Sequence, residues 1–232
     1  MNCSYQYWYI ILFVLISEAS TSIFSLIDYF EIEYFRKFLI NEKKEFPNKK
    51  DIKKCLDYTI GGYKKIILPI FVIGIITCNT LYIRPFQCDY TNYNIYISLF
   101  RLITYLIFAD LLFYTIHRIM HIPYFYKLYH KKHHEYKITF ALVNHYVSFE
   151  ELIIFMTPIL LPSILLNVHI YELYFVSFLF NFYAGYTHSG YNFPLLKKIG
   201  FDSEHHDKHH IYFKYNYSAL LPIIDKLFNT YL

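Results

Sequence analysis

None of the twelve histidines in this 232-residue chain precedes residue 117, and eight of them fall in three short motifs. His117-Arg-Ile-Met-His121 places two imidazoles at i and i+4, on one face of a helix. His130-Lys-Lys-His133-His134 offers an i, i+3, i+4 set, and His206-Asp-Lys-His209-His210 repeats that spacing 76 residues later. Each set can aim at least two nitrogens at one point. Gathered imidazoles displace the water shell of iron, zinc or copper without burying carboxylates. One tetrahedral ion uses four ligands, so eight imidazoles in ordered motifs point to two metal ions.

Other polar residues lie close to these motifs. Asp110 is seven residues before His117, two helical turns away on the same face, where a carboxylate needs a partner such as an imidazole N–H. Glu135, Glu204 and Asp207 adjoin the clusters, and each reads equally as a solvated acid or as a support for a ligand. His145 and His205 stay open as ligands, supporting groups or solvated residues; His169 has no assigned role.

The elements that must position these residues belong to a bilayer. With 56% hydrophobic and only 17% charged residues, the chain is more apolar than soluble domains of its length. The net charge of +4 is spread over loops with no continuous basic stripe, which excludes a nucleic-acid partner. Cys3, Cys55, Cys78 and Cys88 are scattered without a C-x-x-C pair and read as packing residues. Five stretches approach the ~20 residues that span a hydrocarbon core: Tyr5 to Ile27, Ile66 to Ile83, Ile95 to Ile116, Leu152 to Ile170 and Tyr171 to Tyr186. The last two meet around Asn167, His169 and Glu172 as a helical hairpin.

The loop from Glu31 to Lys65 is rich in Lys and Arg, whereas Arg84 to Asn94 carries Arg84 alone, so the first is expected to face the cytoplasm. Counting spans onward brings every histidine motif to that same face. Tyr7 to Ile16 followed by Glu18-Ala19-Ser20 has features of a signal peptide but lacks a positive leader, and the expectation is an uncleaved anchor. The expected fold is an all-α integral membrane protein of about four to five transmembrane helices with a cytoplasmic histidine-rich helical cap. Residues 1–94 form the anchor helices and Lys-rich loop of a single domain whose catalytic region is 95–232.

From about Ile95 onward the chain resembles the fatty acid hydroxylase and sterol desaturase superfamily of integral-membrane di-iron enzymes. The resemblance is carried by Asp110, Tyr114, His117-Arg118, His121, Tyr126-Lys127, His130-Lys131 and His133-His134-Glu135. It continues through His188-Ser189-Gly190-Tyr191-Asn192-Phe193-Pro194, His206-Asp207-Lys208-His209-His210, Tyr215-Asn216-Tyr217 and Asp225. The His188 to Pro194 stretch is most similar to 4-methylsterol monooxygenases, and Tyr212 to Tyr217 is equally similar to sterol delta-5 desaturases. Sphingoid-base hydroxylases share a related pattern.

The resemblance implies a non-haem pair of Fe ions, and adds His188 to His117, His121, His130, His133, His134, His206, His209 and His210 as a metal ligand. It implies O2-dependent hydroxylation or desaturation of an unactivated C–H bond in a lipid, in the endoplasmic reticulum membrane. Electrons would come from cytochrome b5 and an NAD(P)H reductase, with Lys127, Lys131, Lys132 and Lys208 as a docking surface. Tyr105, Phe108, Phe175, Phe178 and Tyr183 are candidates for a substrate entrance or for core packing. Relatives often read H-P-x-E where this chain has Ser148-Phe149-Glu150-Glu151, which leaves His145 as a candidate substitute for the missing imidazole. The competing reading is a non-catalytic membrane metal-binding protein.

Overall fold

The computed structural model describes residues 18–41, 44–62 and 94–232. The expected span at Ile66–Ile83, most of that at Tyr5–Ile27 and the Arg84 loop lie outside these residues. Helix α1 (Ala19–Phe30) is followed by a turn, α2 (Glu33–Arg36), and by α3 (Lys49–Gly62). The long helix α4 (Ile95–Met120) leads into a tight connection, then α5 (Phe149–Leu165), α6 (Ile170–Thr187), α7 (Pro194–Lys198), α8 (Ser203–Tyr212) and α9 (Pro222–Leu227). No strand occurs among the described residues; one antiparallel bridge joins Leu39 to Tyr191.

Asn94 starts α4 by accepting from the amides of Tyr96 and Ile97, which satisfies two donors that a helix start leaves open. Its 26 residues rise roughly 39 Å, enough to cross a ~30 Å hydrocarbon core. Large apolar side chains are exposed around it, among them Ile97, Phe100, Ile103, Ile107 and Phe108, as suits a lipid-facing helix. Among the described residues α4 alone is long and apolar enough to cross a membrane. Where the sequence suggested two further spans, α5 has 17 residues and α6 has 18, rises of about 26 and 27 Å.

Helices α5 and α6 form the expected hairpin, turned by Val168 and by Asn167, which takes a left-handed φ of 46°. His169, left without a role from sequence, caps α6 in a reciprocal box with Glu172. Pro158 and Pro162 interrupt the amide ladder of α5. Between the two prolines, the Ile159 carbonyl accepts the Tyr105 hydroxyl of α4 at 2.9 Å. Tyr105, Ala109, Leu173, Val176 and Phe180 form the α4–α6 core. On the other side of α6, α1 packs where Gly185 leaves room for Ser20 and Thr21, so that any Cβ at 185 would collide with their hydroxyls. The consequence is a scaffold in which α4 ends, α5 begins and α6 ends at one place. The histidines are there.

Candidate metal centre

Helix α4 carries His117 in its last turn and His121 at its C-cap. A single helical turn from Pro123 then widens into a π-helical turn, Tyr126–His130, and a 3-10 turn, His133–Glu135, follows. Such wide turns re-aim side chains, and they are common at functional sites. His188 caps the end of α6, while His206, His209 and His210 lie on α8, whose start is capped by the Asp202 carboxylate accepting from the amide of Glu204.

The imidazoles separate into two groups, His117, His121, His130, His134 and His209 in one and His133, His188, His206 and His210 in the other; within each, one nitrogen per ring lies within 4.8 Å of the rest. Each H-x-x-H-H motif is divided crosswise. His130 and His134 join the first group and His133 the second, whereas His206 and His210 join the second and His209 the first. An i, i+4 pair shares a helical face and the i+3 position is rotated away from i+4, so one motif can reach two points.

In the larger group four Nε2 atoms close a ring. His121 to His130 is 3.1 Å, His130 to His134 3.0 Å, His134 to His209 3.2 Å and His209 to His121 3.0 Å. A point equidistant from four such corners is about 2 Å from each, the length of a metal–imidazole bond. In the smaller group Nε2 of His188 is 3.1 Å from that of His133 and 2.9 Å from that of His206.

Hydrogen bonds made outside the groups fix several of the inward nitrogens as bare. Nδ1 of His117 donates to the Tyr217 carbonyl at 2.8 Å and Nδ1 of His209 to the Tyr215 carbonyl at 2.7 Å. His188 likewise donates to Ala184 O at 2.8 Å and His210 to Tyr136 O at 3.3 Å. A carbonyl only accepts, so each of these neutral rings carries its hydrogen on Nδ1 and turns a bare lone pair inward. Nε2 of His210 is buried with no hydrogen-bond partner. Burial and mutual proximity hold His130, His133, His134, His206, His209 and His210 well below the ordinary imidazole pKa, and burial lowers His188 to about 4. Neutral imidazoles with converging lone pairs fit a cation at each group.

A carboxylate supports the larger group. Nδ1 of His130 donates to Oε1 of Glu151 at 2.8 Å, and both side chains are 1% exposed. Glu151 was not singled out from sequence, although Ser148-Phe149-Glu150-Glu151 has the S-x-x-E form of a helix start. Ser148 does cap α5, accepting from the Glu151 amide and donating to Tyr129 O, so it ties α5 to the residue before His130.

The model matching fatty acid hydroxylases covers residues 102–230. The chain belongs to the fatty acid hydroxylase family. It is 30% identical over 185 residues to a fatty acid hydroxylase of Mycosarcoma maydis, covering 74% of this chain and 46% of that protein. To a methylsterol monooxygenase of Aspergillus fumigatus it is 30% identical over 208 residues, 84% of this chain and 67% of the relative. A delta(7)-sterol 5(6)-desaturase of Candida albicans is 26% identical over 226 residues, 91% of this chain and 55% of the relative. The chain thus spans about half the length of the first and third. No solved structure matches it.

Within this family member the remaining candidates take different places. Asp110 pairs with no imidazole; its carboxylate accepts from the amides of Ala219, Leu220 and Leu221 at 2.8, 2.9 and 2.6 Å. Three main-chain donors satisfy it better than one ring could. His145 lies outside both groups, 2.6 Å from the Glu18 carboxylate, and His205 faces Asp225 at 3.4 Å. Glu135 pairs with Lys54 at the surface, and Glu204 with Lys197 and Lys208. Asp207 is buried against Thr139, and that burial raises it to about 6. Lys132 sits 3.3 Å over the Tyr58 ring, which leaves Lys127 and Lys131 as the exposed members of the expected basic surface.

Of the suggested entrance residues, Tyr105 and Tyr183 are core, whereas Phe108 and Phe175 are exposed. An apolar cavity of about 590 Å³ lies instead between the end of α4 and the start of α5, lined by Ile116, Met120, Phe125, Tyr129, Phe149 and Ile153 among others.

Proposed function

We propose that this chain is a membrane-bound di-iron oxidoreductase that uses O2 to hydroxylate or desaturate an unactivated C–H bond of a sterol, in the manner of methylsterol monooxygenases. The observation that carries this reading is the pair of buried nitrogen groups, into which His117, His209, His188 and His210 turn bare Nε2 lone pairs. His117, His121, His130, His134 and His209 would hold one iron, and His133, His188, His206 and His210 the other. Iron bound there supplies the oxidation of the C–H bond with O2.

The chain's own residues do the rest. Carbonyls of Tyr217, Tyr215, Ala184 and Tyr136 hold protons on the Nδ1 atoms of His117, His209, His188 and His210, and so keep the inward nitrogens basic. Phe155 and Phe113 pack against His117, and Phe213 lies 4.8 Å from the His134 ring, which excludes water from the nitrogens. The apolar cavity beside α4 and α5 suits the hydrocarbon part of the substrate. Electrons arrive from outside the chain, from cytochrome b5 and an NAD(P)H reductase at the face bearing Lys127 and Lys131, in the endoplasmic reticulum membrane.

Two measurements test this. Purified protein is expected to carry about two irons, counted by elemental analysis. Cells lacking the gene are expected to accumulate a 4-methylsterol; accumulation of an unhydroxylated ceramide or fatty acid with normal sterols would move the substrate to another lipid class. Protein without bound iron would overturn the reading.

A further inference from the structure

The segment from Tyr215 to Leu221 joins α8 to α9 without regular structure, yet it is among the most firmly held stretches of the chain. Two of its carbonyls, those of Tyr215 and Tyr217, receive the Nδ1 hydrogens of His209 and His117. Both rings belong to the five-imidazole group. In the four-imidazole group the corresponding acceptors, Ala184 and Tyr136, lie elsewhere in the chain.

Asn216, between the two carbonyls, has a left-handed φ of 60°, a conformation that Asn tolerates better than most residues and that sets how the flanking carbonyls point. Its side chain is fully buried and used at both atoms: Nδ2 donates to His205 O at 2.8 Å and Oδ1 accepts from Leu232 N at 2.9 Å. Its own amide donates to Thr230 O at 2.7 Å. Downstream, Asp225 accepts from the amides of Tyr217 and Ser218 at 2.8 and 2.9 Å. Asp110 of α4 takes the next three amides.

We propose that Asn216, Asp225 and Asp110 are positioning residues that act, through this strap, on one of the two metal positions and not on the other. They hold two carbonyls against His117 and His209, and so fix the tautomer and ring orientation of two of the five ligands. The rings of the four-imidazole group find their Nδ1 acceptors on α6 and at Tyr136, and the strap reaches that group only through the main chain of α8, at His205 O. This inference rests on the metal-centre reading above. A strap that merely closed the fold would affect both groups alike.

The test uses the full chain purified in detergent and loaded with cobalt(II), read by metal stoichiometry and visible absorption. His134→Ala and His206→Ala, one in each group, assign the absorption of the two positions. Asn216→Ala, which removes both side-chain bonds and strains the left-handed backbone, is expected to weaken cobalt binding roughly 10- to 100-fold at one position only. Its remaining spectrum should be that of His134→Ala. Asp225→Asn should do the same, and Asn216→Asp, which keeps an acceptor for Leu232 and tolerates the backbone, should recover part of the lost binding. Two full cobalt sites in Asn216→Ala and Asp225→Asn would overturn the proposal. So would loss of both sites together, or a remaining spectrum matching His206→Ala. Wild-type protein that binds no cobalt would instead sink the metal-centre reading itself.

Discussion

The two ends of α4 both bury charged or polar side chains, and they solve the problem in opposite ways. Near its start Arg101 makes a two-pronged ion pair with Glu172 of α6, at 2.7 and 2.8 Å, and Ser98 and the His169 amide complete the carboxylate's partners. Charge and hydrogen bonds close within the protein. Sixteen residues on, about 24 Å along the axis, His117 enters a cluster of imidazoles in which its own Nε2 and that of His209 point inward as bare lone pairs. A self-sufficient polar cluster is a pin between helices; one whose lone pairs converge is a candidate site. The difference lies in donor and acceptor accounting.

The comparison can be broken most decisively at the histidines. His133→Ala with His134→Ala removes one nitrogen from each group, and the doubly changed protein is expected to lose all bound iron by elemental analysis. Retained iron would refute the assignment. Acid gives the next largest effect. Histidines whose pKa is lowered in the folded protein contribute stability that is intact above the unfolded value of 6.5 and is lost as pH falls toward the folded value, about 4 for His188. For that residue alone the loss is about 1.4 kcal/mol per pH unit. Thermal melts of metal-free protein from pH 7 to 5 are therefore expected to fall steeply.

At the other end, Arg101→Met leaves Glu172 buried and unpaired, at a cost of about 3 kcal/mol. Its melting temperature should drop with iron content unchanged, and adding Glu172→Leu should restore most of the loss. A fall in iron in that variant would erase the distinction between pin and site. The smallest effect is expected from Glu151→Gln, which weakens the hold on His130: metal affinity should decline roughly 10- to 100-fold at the five-imidazole group, measured by competition with a chelator.

What could be read in the sequence follows from what side chains advertise. Histidine spacing marked which imidazoles the fold would gather, and the apolar run from Ile95 marked α4. The turn at Asn167 was visible because two apolar runs met at polar residues. The π-helical turn at Tyr126–His130 was not, because a widened turn has no composition of its own. Nor were the acceptors on Tyr215 and Tyr217, since every residue has a carbonyl. Asp110 was expected beside an imidazole because its position on α4 is all a sequence can show; the loop that meets it arrives from 109 to 111 residues away. Glu151 was hidden for another reason. Comparison with H-P-x-E drew the eye to an absent histidine, while the local S-x-x-E pattern described a helix start that delivers a carboxylate.

The crosswise division of the two H-x-x-H-H motifs has a mechanical consequence. Because α8 supplies both groups, and His133 and His134 are neighbours that part to opposite sides, the interval between the two nitrogen clusters is spanned by covalent backbone twice over. The distance between the clusters is thereby set by the backbone, while the tilt of the His117, His188, His209 and His210 rings is left to the outer hydrogen bond of each. The pair behaves as a gauge block, with its spacing cut into the chain.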